Sequence, residues 1–133
     1  MSQENVDLIR RLNTAFNAGE DHVIVDHLAP DAELTDHMPL PDVAGSVRGE
    51  EVRTVLAAWR EGFKGFEANV VEYVDRGDFV VCVTNWRFVS RDEGVEVQWN
   101  GAEAWRVRDG KVVWGQAGFR DKEAALEAVG LRE

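Results

Sequence analysis

One cysteine, one tyrosine, three prolines and three histidines are all that this 133-residue chain holds of those types. The lone cysteine, Cys82, can form no internal disulfide, and between Val81 and Val83 it reads as a buried thiol rather than a nucleophile. Histidine and cysteine are too sparse for a zinc-type ligand set, so no metal is expected. Positive charge is also short: 15 Lys and Arg against 25 Asp and Glu leave a formal charge of -10, which repels phosphate backbones and anionic headgroups. Neither nucleic acid nor a membrane surface is an expected partner. Glycine-rich phosphate loops and Ser-His-Asp signatures are missing, so no cofactor is expected. No apolar run reaches the length of a membrane span, and the start MSQENVDLIRRLN lacks signal-peptide character; the expected location is the cytoplasm.

Amphipathic rhythm is plentiful instead. Val6, Ile9, Leu12 and Phe16 recur at helical spacing up to Gly19. A second, shorter helix is predicted from Asp21 as cap to Leu28, stopped by Pro30. Residues 32–37, AELTDH, read as a short strand, and Pro39 to Gly49 as a loop. In a third helix Val52, Val55, Leu56, Trp59 and Phe63 form one apolar ridge. Beyond Gly65 the period changes to two. Strands are predicted at 66–75, 78–90, 94–107 and 111–119, joined by DRGD, SRDEG and RDGK turns as an antiparallel meander. Asp121 is placed to cap a last helix, KEAALEAV, ending at Gly130. The expectation is one α+β domain over residues 1–133, its helices packed on a curved sheet around a conical space.

The strand GVEVQWNGAEAWRV carries the sharpest chemical signal. One face reads Val95, Val97, Trp99, Gly101, Glu103, Trp105, Val107, so a carboxylate stands among apolar side chains. It faces either a cavity or a partner that pairs with it. Desolvation would raise the pKa of such a group and let it stay neutral and donate a hydrogen bond. Trp59, Trp99, Trp105 and Trp114 occupy apolar stripes and suit either a filled core or the wall of a site for a flat ligand. Trp86 is assigned to the outer sheet face, where exposed apolar positions point to a homodimer.

The strings FNAGE (16–20), LAPDAELTDH (28–37), VRGEEVRTVL (47–56), AWRVRDGKVV (104–113) and ALEAVGL (125–131) together resemble the nuclear transport factor two-like superfamily, in its SnoaL-like and ketosteroid-isomerase-like branches. The resemblance implies a cone-shaped, strongly curved, mainly antiparallel sheet with three N-terminal helices on its concave face, a cystatin-like roll closed by a short C-terminal helix. It implies a pocket for a small hydrophobic or polycyclic molecule, with cofactor-free isomerase, cyclase or dehydratase chemistry beginning with proton abstraction next to a carbonyl; a non-catalytic ligand-binding or assembly module is the alternative. Carried over residue by residue, the family's base falls at Asp36, beside His37, and its protonated acid at Glu103. The oxyanion tyrosine falls at Leu12, leaving Gln116, Asn85 or a Trp indole as substitute donors. The Arg-x-Asp pair and last-strand Asp of the fold's epoxide hydrolases fall at Trp86, Phe88 and Gln116, which disfavours that chemistry. The expected pocket wall comprises Leu12, Phe16, His37, Val55, Trp59, Phe63, Trp99, Trp105, Trp114 and Gln116.

Overall fold

The computed structural model describes residues 2–36 and 45–133. Helices α1 (Ser2–Ala18) and α2 (Asp21–Asp26) lead into strands β1 (Leu28–Asp36) and β2 (Gly45–Arg48). A 3-10 turn (Gly49–Glu51) opens α3 (Val52–Gly62), and β3 (Phe63–Arg76), β4 (Phe79–Ser90), β5 (Glu96–Arg108) and β6 (Lys111–Phe119) precede α4 (Lys122–Arg132). The six strands form one sheet in the order β2-β1-β6-β5-β4-β3. The fold is α+β, with a curved, unclosed and mainly antiparallel sheet, as expected. Among the described residues no helix is long and apolar enough to cross a membrane.

The meander β3 to β6 follows the period-two pattern, and each ladder within it is antiparallel. The one parallel ladder joins β1 to β6, which makes the sheet mixed. Three local expectations are corrected here. Helix α2 stops at Asp26, and Leu28 to Pro30 belong to β1. Pro30 sits where the β1–β6 register shifts between Leu28 and Glu33, an irregularity that tolerates a missing N–H. Asp21 is not the cap of α2; it lies inside the helix and pairs with Arg60 of α3. Gly45 to Arg48, expected in a loop, pair with β1 as β2, while Pro39 to Ala44 of that loop lie outside the described residues. At the far end Asp121 caps α4 by accepting from the Ala124 N–H at 2.9 Å, and the helix runs through Gly130 to Arg132.

Two apolar layers flank the sheet. On the inner face α1 contributes Val6, Ile9, Leu12 and Phe16 and α3 contributes Val52 and Leu56, packed against Phe66, Val80, Phe88 and Val107. On the outer face α4 lays Ala125 and Val129 over Phe79, Val81, Ala102, Ala104, Trp114 and Phe119. Much of the apolar part of that outer face is therefore covered within the chain itself, and the strip beyond α4 presents Asn69, Asn85 and Asn100 in one cross-strand row.

Side chains hold the helical roof in place. Asn17 of α1 brackets one residue of β3, accepting from Ala68 N at 2.8 Å and donating to Ala68 O at 2.9 Å. Arg60 donates to Asp21 at 2.7 Å and to the Phe16 carbonyl at 2.8 Å, tying α3 to α1 and α2. Both groups of that ion pair are only about a quarter exposed, so the link is less screened than a surface pair.

Candidate functional site

Between roof and sheet lies an apolar cavity of about 310 Å³. Ligand sites span about 300 to 1,000 Å³, so this is a small one. Leu12 and Phe16 come from α1, Val55 and Trp59 from α3, Trp86 from β4, and Glu103 and Trp105 from β5; Asp36 reaches it from β1. The two carboxylates thus border one space.

Sheet order explains their placement. Strand β6 runs between β1 and β5, with Asp36 in register with Ala117 and Leu34 with Gly115. On the other side Trp105 is in register with Gly115, and Glu103 falls in the shift between Ala102 and Ala104. Gly118, at φ 88, supplies the left-handed residue at that bulge of β6. Adjacent strands lie about 4.8 Å apart, so the Asp36 and Glu103 backbones stand about 10 Å apart with only Gly115 and Ala117 on the strand between. Nothing bulky on β6 separates the two acids.

Glu103 is 3 % exposed. Its Oε1 accepts from the Thr84 hydroxyl at 2.6 Å and its Oε2 from the Trp86 indole N–H at 3.2 Å. Both donors are neutral. Burial is the main reason its pKa rises from 4.5 to about 7; the two hydrogen bonds oppose the rise and the charge of Asp36 adds to it. Cys82 stands opposite Glu103 on β4 and Tyr73 opposite Cys82 on β3, so one row of ionisable groups crosses the inner face. Burial and then the charge of Glu103 push the Cys82 thiol well above its usual 9.0, which keeps it protonated and inert. Burial likewise raises Tyr73, against the pull of Arg10, whose guanidinium lies 4.5 Å from the ring centre.

Of the wall residues read from sequence, Leu12, Phe16, Val55, Trp59 and Trp105 border the cavity. Phe63 and Trp99 do not. Phe63 sits edge-on to Phe66 and Phe88 in the core, and the Trp99 ring folds back over Gly101 of its own strand. Trp114 and Gln116 require a correction. The β5–β6 register slips between Val112 and Trp114, and the extra residue at Val113 reverses the alternation. Val112 packs inward, Trp114 joins the layer under α4, and Arg132 lies 4.1 Å over its ring. Gln116, between inward Gly115 and Ala117, points the same way as Trp114 and is no cavity donor. Asn85 is exposed in the outer row, and His37 lies outside the described residues. Trp86, assigned to the outer face, is instead an inner residue whose ring meets Phe16 edge-on at 5.6 Å. Its signal was present: Val80, Cys82, Thr84, Trp86 and Phe88 alternate as one face of β4.

A model of the SnoaL-like domain matches residues 9–114, and the chain belongs to that family. Solved structures agree on the NTF2-like, ketosteroid-isomerase-like fold. An NTF2-like protein of Burkholderia thailandensis is 26 % identical, with a TM-score of 0.74 over 83 % of this chain and 85 % of that one. IdmH of Streptomyces antibioticus, a candidate polyketide cyclase, is 24 % identical, with a TM-score of 0.73 over 94 % and 97 %. TerC, crystallised with polyporic acid, is 19 % identical, with a TM-score of 0.74 over 85 % and 88 %. No curated protein matches.

Proposed function

We propose that the cavity takes a small, largely apolar carbonyl compound and moves a proton at the carbon next to the carbonyl. One observation carries this reading: a nearly fully buried carboxyl, Glu103, shares an apolar cavity with a second carboxylate and has only neutral hydrogen-bond partners. Asp36 is the base. It takes the α-proton, the C–H electron pair forms a carbon–carbon double bond as the carbonyl π pair moves onto oxygen, and that enolate oxygen accepts a hydrogen bond from Glu103 in its neutral form. With a pKa of about 7, Glu103 exists partly as that neutral acid at neutral pH. The Trp86 N–H can stay on Oε2 while the Thr84 hydroxyl turns, leaving the acid's O–H to the cavity. Returning the proton to the substrate restores both groups, so no cofactor is consumed.

Isomerisation, aldol-type cyclisation and dehydration all begin with this step. Neighbours of the same fold that include a candidate polyketide cyclase and a protein crystallised with polyporic acid agree with it. A second reading, binding without turnover, draws on the fact that both Glu103 oxygens already accept hydrogen bonds within the protein. Assaying a panel of one- and two-ring enones and ketones separates the two. Turnover lost in Asp36→Asn supports the enzyme; saturable binding with no turnover supports the binding module. Self-association through the outer face would rest on the strip left bare by α4, where Val71 is 57 % exposed beside the asparagine row.

A further inference from the structure

One contact on the cavity floor holds Trp105 against the sheet. Trp105 points inward from β5 next to a site that a large indole would be expected to fill. It does not fill it, because it lies against the backbone of β6 at Gly115. A Cβ built on Gly115 would collide with Cε3 and Cζ3 of Trp105 and stand 3.1 Å from Leu34 Cδ2. Gly115 has an ordinary φ, unlike Gly110 and Gly118 on either side of it, so its backbone does not require glycine. What requires glycine is space: the missing side chain is a slot that the Trp105 ring occupies.

We infer that Gly115 is a specificity-determining position, the residue that sets how large a molecule the cavity admits by letting the edge of the Trp105 ring rest against β6. The inference rests on the reading of this cavity as a binding site for an apolar molecule. Its geometry is directional. Trp105 and Gly115 are cross-strand partners, and Leu34 approaches the same spot from β1. A methyl group at 115 cannot share that space with the Cε3–Cζ3 edge of the indole, and the cavity that Trp105 borders is open space into which the ring can move. The positions next along these strands on the inner face are Glu103 and Asp36, so a displaced ring comes to stand in the space between the acids. A larger residue at 115 shrinks the site, and a smaller one at 105 enlarges it. The pair therefore tunes substrate size without touching the acids themselves.

The test compares wild type, Gly115→Ala, and Gly115→Ala combined with Trp105→Leu, using the neutral fluorescent probe N-phenyl-1-naphthylamine, with circular dichroism and thermal melts to establish folding. Gly115→Ala is expected to bind the probe at least tenfold more weakly, the double variant to recover affinity to within about threefold of wild type, and a crystal structure of Gly115→Ala to show the indole lifted off β6. Probe affinity in folded Gly115→Ala within twofold of wild type, or an indole still against β6 at residue 115 in that crystal, overturns the inference. If wild type fails to bind any neutral probe, the binding reading of the cavity falls, while the position of Trp105 in the Gly115→Ala crystal still decides whether residue 115 controls the ring.

Discussion

The Trp86 indole donates to Oε2 of Glu103 across 3.2 Å while its ring meets Phe16 of α1 edge-on. One side chain thus connects the buried acid in the sheet to the helical roof above it. Burial disfavours the acid's ionisation most, and neighbours on two strands adjust it: Thr84 and Trp86 on β4 favour the charged form, and Asp36 on β1 opposes it.

Glu103→Gln is expected to stabilise the protein at alkaline pH. The folded pKa of about 7 lies above the ordinary 4.5, so the unfolded chain loses this proton first as pH rises. The penalty is absent below about pH 4.5, grows up to about pH 7 and is constant above, with an upper limit on the order of 3 kcal/mol. Glutamine keeps the shape, its oxygen taking the Trp86 N–H and its amide donating to Thr84. Urea unfolding should give a gain of about 1 to 3 kcal/mol at pH 8 and almost none at pH 4.5. A loss at pH 8 that disappears on acidification would mean that Glu103 is a charged, paired group.

Thr84→Val removes the 2.6 Å hydrogen bond that favours the carboxylate, and Trp86→Phe removes the 3.2 Å one. Each should raise the Glu103 midpoint above about 7, Thr84→Val by more, read from the carbon-13 shift of its labelled carboxyl. Thr84→Val should cost about 1 to 2 kcal/mol at pH 8 and less at pH 5. A midpoint that falls in either variant contradicts the assigned roles.

Asp36→Asn removes a negative charge that now hinders ionisation of Glu103. In the same carbon-13 titration the Glu103 midpoint should move down, below about 7. An unchanged midpoint would mean that the two acids do not sense each other across β6.

A bound aromatic ligand should quench intrinsic emission, because Trp59, Trp86 and Trp105 border the cavity. Trp114, beneath α4, should contribute none of the change, so Trp114→Phe should leave the amplitude of the quench intact. Loss of the quench in Trp114→Phe would locate the ligand on the other side of the sheet.

The meander and its turns were legible because period-two alternation is a local signal, and so was Glu103, whose position among Val and Trp survived into the fold. What escaped were features set by distant or irregular pairing. Pro30 reads as a stop because a proline ends helices, yet here it enters a strand at a register shift. The parallel partnership of β1 with β6, which brings Asp36 within one strand of Glu103, joins segments some eighty residues apart in sequence and leaves no local trace. A single extra residue at Val113 turns Trp114 and Gln116 to the outer face, and nothing in KVVWGQAG announces it. The Trp86 position was readable from its own strand. The outer assignment rests on an apolar outer face that lacks a cover, whereas α4 covers much of that face.

Proton transfer at a carbon next to a carbonyl can be measured by hydrogen exchange without knowledge of the natural substrate. Incubated in deuterium oxide at neutral pH with a two-ring ketone such as 1-tetralone, the wild-type protein should speed loss of the α-proton NMR signal at least 100-fold over buffer. Asp36→Asn should abolish most of that acceleration, and Glu103→Gln, which still donates but holds no acidic proton, should retain part of it. Saturable binding of the ketone with exchange no faster than in buffer would contradict the claim and leave the cavity as a binding site alone.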